Sequence, residues 1–120
     1  MKKRVLIVCC DTIRSDIWSG LLWKKLDLYI ARSCHLAEKA LAKHSFDALV
    51  VDDSIIKVRL ESEEEALFKR IRAIANAVAG PKIAASNAFP FIRYLRKAGL
   101  DKNANHHKLP EEILRLLKVE

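Results

Sequence analysis

The stretch "DALVVDDSI", which runs from Asp47 to Ile55, decides the fold. Its short apolar run at positions 48–51 is typical of a strand that is buried on both faces of a sheet. The run leads into two adjacent carboxylates, Asp52 and Asp53, at the point where that strand should end. Acids in this position need partners, and the ends of the neighbouring strands are the place to look for them.

The other strongly apolar run is "RVLIVCCDT" at residues 4–12. It predicts a second buried strand over 5–8, but it ends in Cys9 and Cys10 and reaches a carboxylate only at Asp11. The simplest interpretation of the two cysteines is that they are small buried apolar residues. The three cysteines of the chain, an odd number, also agree with a reducing compartment.

Short strands alternate with helices along the rest of the chain. The longest predicted helix begins at a capping box of Ser62 and Glu65 and stops before Gly80. The predicted strands cover 5–8, 27–31, 48–51, 82–86 and, in a largely polar stretch, 101–108. The other predicted helices cover 13–25, 33–44, 90–98 and 109–119. This alternation predicts an α/β fold, a doubly wound five-stranded parallel sheet with helices on both faces.

The apolar spacing also assigns faces to the first two helices. In the first helix, Ile13, Ile17 and Leu21 share one face. In the second helix, the residues expected to point inward are Leu36, Ala37, Ala40 and Leu41.

Length and composition limit the class of protein. At 120 residues the chain is predicted to be a single domain, 1–120, with a core that needs no metal or disulfide. No apolar run is long enough to span a membrane, so we expect a cytoplasmic protein without membrane contact. The net charge of +7 favours acidic partners, although the basic residues are spread widely and a solvated surface explains them as well.

Chemically useful residues gather at one predicted edge of the sheet. In open parallel sheets, ligands bind outside the carboxyl ends of the strands. Besides the cysteines and Asp11, that edge should carry Asp52 and Asp53 after the third strand, Ser86 after the fourth and Lys108 after the fifth. Lys108 is expected to form an ion pair with Asp52.

In this arrangement the chain resembles the response-regulator receiver domains of two-component signalling over nearly all of its length. The resemblance rests on Asp52 at the end of "FDALVVD", Ser86 at the end of "PKIAAS" and Lys108 in "HKLP". It implies a flavodoxin-like, receiver-like fold in which Asp52 is the phosphoacceptor, Ser86 the switch hydroxyl and Lys108 the second cation. It also implies a signalling module without enzymatic activity beyond accepting a phosphoryl group.

The main departure from the family pattern lies at the magnesium site. Receivers hold Mg²⁺ with an acid pair after the first strand, and here Cys9 and Cys10 stand in that place. Mg²⁺ takes oxygen ligands, whereas a thiol is a soft ligand, so Cys10 is a poor replacement for a carboxylate. The resemblance therefore implies only a weak Mg²⁺ site, made of Asp11 and Asp52, and weak or lost phosphorylation at Asp52.

The expected partners are proteins. A divergent, stand-alone receiver without an effector segment should act through a histidine kinase or another signalling protein, and it could form a homodimer. The helix "FPFIRYLRKAG" mixes aromatic residues with arginines, which is typical of interface anchors, and Phe91, Tyr94 and Arg96 are the predicted contact residues.

Other functions remain open at the level of sequence. "VLIVCCDTIRS" resembles the active-site loop of low-molecular-weight tyrosine phosphatases, with Cys9 as nucleophile and Arg14 as phosphate ligand, but one residue is missing between them and the loop has no glycine. The positive charge permits a nucleic-acid-binding module, although no recognised motif accompanies it. His106 and His107 could hold a metal, but neighbours on a strand face opposite ways.

Overall fold

A computed structural model describes residues 2–56 and 61–120, apart from the side chains of residues 61 and 62. Within this part of the chain, five strands and five helices alternate. The strands are β1 (Lys3–Val8), β2 (Leu26–Ala31), β3 (Ala48–Asp52), β4 (Lys82–Ala85) and β5 (Lys102–Ala104). The helices are α1 (Thr12–Leu22), α2 (Cys34–Lys43), α3 (Glu61–Asn76), α4 (Phe89–Lys97) and α5 (Leu109–Leu116). A short 3₁₀ helix, Asp53–Ile55, follows β3.

The strands form one parallel sheet in the order β2-β1-β3-β4-β5, which confirms the predicted fold class. In the sheet register Val8 lies opposite Val51, and Asp52 lies opposite Ala85. The carboxyl ends of β1, β3 and β4 therefore meet at the centre of one edge. This register places the residues after each of these strands around Asp52.

The core lies on both faces of the sheet. Helices α2, α3 and α4 cover one face, where Leu6, Leu49 and Ile71 are fully buried. Helices α1 and α5 cover the other, where Ile7 and Leu22 are fully buried. None of the helices in the two described segments is long and apolar enough to cross a membrane.

The face of α1 that packs on the sheet differs from the apolar stripe in its sequence. Ile13, Ile17 and Leu21 are 74%, 59% and 63% exposed. The buried residues of α1 are Ser15, Trp18 and Leu22, one or two positions further along. The indole of Trp18 fills this interface, and its Nε1–H donates to the carbonyl of His106 at 2.9 Å.

Helix α2 shows a smaller correction. Leu36 was expected to face inward, but it is 44% exposed, whereas Ala37 is fully buried as predicted. The helix begins after Ser33, whose hydroxyl accepts the backbone N–H of Leu36. That cap sets the phase of the helix and directs Cys34 and Ala37 toward the sheet.

The termini of other elements also refine the predictions. Strand β5 ends at Ala104, so Lys108 does not end a strand; it is the residue before α5. Gly99 follows α4 with a φ of 112°, a left-handed conformation that favours glycine. The predicted capping box involves the side chain of Ser62, which lies outside the described residues.

Candidate functional site

Asp52 is the centre of the candidate site. Its side chain is 0% exposed, although it stands at the end of a strand where the chain turns toward the surface. Its Oδ2 accepts the backbone N–H of Ser54 at 3.0 Å, which caps the short helix that follows β3. A carboxylate removed from water in this way needs a compensating positive charge.

Arg14 supplies that charge. Its Nη1 lies 2.7 Å from Asp52 Oδ2 and 3.4 Å from Asp53 Oδ1, and its Nη2 lies 3.6 Å from Asp11 Oδ2. Burial alone would lower the pKa of Arg14, but the charge of Asp52 and their hydrogen bond outweigh it and hold the pKa above its usual value. One guanidinium therefore contacts three carboxylates and offsets part of their negative charge, with its shortest contact to Asp52.

Asp11, a predicted Mg²⁺ ligand, has a structural role at this point. It is the N-cap of α1, and its Oδ1 accepts the backbone N–H of Arg14 at 3.0 Å. That hydrogen bond lowers the pKa of Asp11. The cap fixes the first turn of α1 and so aims Arg14 at the end of β3.

His106 is the second basic residue at Asp52, and it enters from the loop after β5. Its Nε2 lies 3.0 Å from Asp52 Oδ1 and 3.4 Å from Asp53 Oδ1. Neither this Nε2 nor Asp52 Oδ1 has a hydrogen-bond partner within the described residues, because the short contact lacks hydrogen-bond geometry. The backbone of His106 is held by Asn87, whose Oδ1 accepts its N–H at 2.8 Å, and by Trp18.

Ser86 joins the site through Asp53 rather than through Asp52. Its hydroxyl donates to Asp53 Oδ2 at 2.6 Å and accepts the backbone N–H of Ala88 at 3.0 Å. The sequence therefore placed Ser86 at the correct edge. Its direct partner is Asp53, the acid to which the sequence assigned no role in the site.

Lys108 does not take the expected position. It is exposed, and the hydrogen bonds of its backbone N–H go to Asn105. Within residues 2–56 and 61–120, no ion pair joins the Lys108 side chain to Asp52; Arg14 and His106 stand there instead. The early end of β5 at Ala104 explains the difference, because Lys108 lies beyond the loop that carries His106 to the site.

Cys9 is the thiol that faces the site. Its Sγ lies 3.5 Å from Asp52 Oδ2, and it also donates to the carbonyl of Asp11 at 3.5 Å. Burial raises the pKa of Cys9 to about 11, and the charge of Asp52 adds to the rise. Cys10, by contrast, points away and donates to the carbonyl of Arg32 at 2.9 Å. The residue in place of the missing acid is therefore Cys9 rather than Cys10.

These contacts argue against the phosphatase alternative. A nucleophilic cysteine needs a lowered pKa, whereas the pKa of Cys9 is raised. Arg14, which would have to bind the phosphate, is engaged with Asp52.

The residues do not fit Mg²⁺ as they stand. The carboxylates of Asp52 and Asp53 converge, and together with His106 they have ligand atoms within 4.8 Å of one another. However, Mg²⁺ requires near-octahedral oxygen ligands at about 2.0–2.1 Å. The guanidinium of Arg14 lies between the two carboxylates, and the thiol of Cys9 is a poor ligand for this ion.

The predicted interface on α4 contains one residue with an internal role. The hydroxyl of Tyr94 donates to the carbonyl of Glu64 at 3.1 Å, and its ring packs edge-on against Phe68. Phe91 and Arg96 are exposed, as a contact surface requires. The role of this face in self-association stays a prediction.

Solved structures define the fold class. A response regulator from Thermotoga maritima is 18% identical, with a TM-score of 0.72, and the alignment covers 98% of this chain and 99% of that one. A two-component response regulator from Clostridium difficile is 16% identical, with a TM-score of 0.75 and coverage of 98% and 97%. The receiver domain of a sensor histidine kinase from Pseudomonas aeruginosa, with a magnesium ion coordinated in its active site cleft, is 17% identical, with a TM-score of 0.73 and coverage of 98% and 99%.

The chain thus has a flavodoxin-like doubly wound fold. More narrowly, this fold is that of response-regulator receiver domains, as the sequence predicted, and the likeness covers nearly the whole chain. Neither a protein-family model nor a curated protein matches the sequence. At this level of identity the likeness establishes the fold alone.

Proposed function

We propose that the protein is a receiver-like signalling module of a two-component or phosphorelay system. It acts in the cytoplasm through protein–protein interaction and has no enzymatic activity beyond weak acceptance of a phosphoryl group. The observation that carries the proposal is Asp52, a fully buried carboxylate at the end of the central strand of a receiver fold. A nucleic-acid-binding module is less well supported, since Arg14, the arginine that contacts Asp52 at this edge, is paired with acids.

Phosphorylation of Asp52 is weak or lost. Phosphoryl transfer to a carboxylate depends on cations that neutralise the transferring group. Here Asp52 Oδ2 already accepts hydrogen bonds from Arg14 and Ser54, and Oδ1 lies against the ring of His106. Because Oδ2 is hydrogen-bonded and the ring of His106 covers Oδ1, a phosphodonor must displace side chains before Asp52 can attack it.

The partner contact lies on α1. Ile13, Ile17 and Leu21 recur every four residues and form an exposed apolar stripe next to Arg14 and His106. A continuous apolar stripe on a helix is the kind of surface that packs against the helices of another protein. We expect a histidine kinase or another signalling protein to bind there, while Phe91, Tyr94 and Arg96 provide the surface for a homodimer.

A site-specific photo-crosslink tests the partner. A photoreactive amino acid at position 17 should capture a histidine kinase or a phosphotransfer protein in the source cells, identified by mass spectrometry of the crosslinked peptides. The matched control places the same amino acid at Lys39, an exposed residue of α2. Capture of nucleic acid, or identical products from both positions, would contradict the proposal.

A small phosphodonor tests the state of Asp52. Incubation with acetyl phosphate and Mg²⁺ should add no phosphate to the native protein under conditions that label an ordinary receiver. The double variant Cys9→Asp with Arg14→Met should gain labelling, because it adds a carboxylate beside Asp52 and removes the competing cation. Efficient labelling of the native protein, abolished by Asp52→Asn, would mean that the site is a working phosphoacceptor.

A further inference from the structure

The cation of this site is part of the protein. Arg14 contacts all three carboxylates of the cluster, with its Nη1 between Asp52 and Asp53 and its Nη2 toward Asp11. A metal ion bridging Asp52 and Asp53 would have to occupy the space that this Nη1 fills. Two cations cannot share that space, because their repulsion adds to the steric conflict.

The chain also holds Arg14 in place independently of the ion pairs. Its backbone N–H donates to the N-cap Asp11, and the next residue of α1, Ser15, is buried. The hydroxyl of Ser15 accepts a hydrogen bond from Arg32 at 2.5 Å. The guanidinium therefore reaches the carboxylates from a fixed turn, and it stays charged throughout the ordinary pH range.

We infer that Arg14 takes the place of the divalent ion, so that this receiver fold is held in one state without a metal. The positive charge beside these carboxylates is a permanent part of the chain, whereas a bound ion would come and go with its concentration. Removal of the guanidinium should then uncover a divalent-cation site formed by the converging carboxylates of Asp52 and Asp53. This inference concerns the isolated chain and does not depend on the partner proposed above.

Thermal unfolding of the purified protein with Mg²⁺ or with EDTA provides the test. Neither should change the Tm of the native protein. Mg²⁺ should raise the Tm of Arg14→Met by about 5 °C or more at saturation, because it binds the folded state only. The matched control is Arg4→Met, which removes an arginine that pairs with Asp27 at the opposite end of the sheet and should remain insensitive to Mg²⁺.

Tryptophan fluorescence gives a second readout at the site itself. Trp18 lies beside His106, with ring centroids 6.2 Å apart, and the chain contains two tryptophans. In a Trp23→Phe background, Trp18 is the only tryptophan left. Its emission should change with Mg²⁺ when Arg14 is also replaced by Met, and it should not change when Arg14 is present.

The possible outcomes decide the inference in either direction. A Tm shift or fluorescence change of the native protein with Mg²⁺ would overturn it, and so would a folded Arg14→Met variant that ignores Mg²⁺. If Arg14→Met is unfolded on its own, it should be refolded with and without Mg²⁺. Recovery of the native circular dichroism spectrum only with Mg²⁺ supports the inference, and no recovery in either condition counts against it.

Discussion

Two arginines lie among aspartates at opposite ends of the sheet. Arg4, in β1, pairs with Asp27 at 3.3 Å, and its backbone N–H donates to Asp47. Arg14, in α1, pairs with Asp52 at 2.7 Å and with Asp53 at 3.4 Å. The residue types are the same, and what differs is the access of water.

That difference in burial changes what each ion pair does. The side chains of Arg4 and Asp27 are 34% and 44% exposed, so water stabilises each charge even when the pair is broken. Asp52 is 0% exposed, so its charge depends on Arg14 and the neighbouring donors. Loss of the exposed pair should therefore affect stability little, whereas loss of the buried pair should leave Asp52 without its main partner.

The largest expected effect is on stability. Arg14→Met should lower the free energy of unfolding by about 3 kcal/mol, since it leaves a buried carboxylate without its main cation. Arg4→Met should lower it by about 0.5 kcal/mol, as is usual for exposed pairs. Urea unfolding followed by circular dichroism at pH 7 and low Mg²⁺ measures both. Equal losses in the two variants would mean that burial does not separate the two clusters.

An intermediate effect on the free energy of unfolding is expected at alkaline pH, and it comes from the thiol of Cys9. Its pKa rises from 9.0 in the unfolded chain to about 11 in the folded one, so between these values the folded state holds a proton that the unfolded state loses. The free energy of unfolding should therefore fall as pH rises across this range, by up to about 1.4 kcal/mol per pH unit. The contribution is fully present below pH 9.

The variant Cys9→Ala isolates this contribution. Its stability should fall less steeply than that of the native protein over the same alkaline range, and Cys10→Ala, which removes the thiol that points away from the site, serves as the control. Parallel slopes for native protein and Cys9→Ala would show that the thiol beside Asp52 ionises normally, and that the carboxyl end of the sheet is more hydrated than its burial indicates.

The smallest effect on the free energy of unfolding is expected on the exposed face of α1, the helix that carries Arg14. Ile17→Ser should change the free energy of unfolding by less than about 0.5 kcal/mol, because Ile17 lies on the exposed stripe. Leu22→Ala, on the buried face of the same helix, should cost about 3 kcal/mol. A large loss in Ile17→Ser would mean that the stripe already packs against something in solution, and sedimentation would identify a second copy of the chain.

Local sequence patterns were sufficient for the sheet but not for the faces of its helices. The apolar run at 48–51 predicted β3 because a strand covered on both faces needs no polar alternation. The spacing of Ile13, Ile17 and Leu21 predicted the helix correctly, but exposed and buried stripes have the same periodicity. The buried face of α1 depends on Trp18, whose indole packs between the sheet and the loop after β5.

The sequence by itself determined the alternation of elements, the parallel sheet and the position of Asp52 at its carboxyl edge, because these follow from short-range apolar patterns. Only the tertiary structure decided which basic side chains meet that acid. Lys108 was the expected partner, yet Arg14 and His106 reach Asp52. The partner of a buried charge depends on how far side chains reach across neighbouring strands and on the length of the loops. Neither quantity can be predicted from the local pattern of residues.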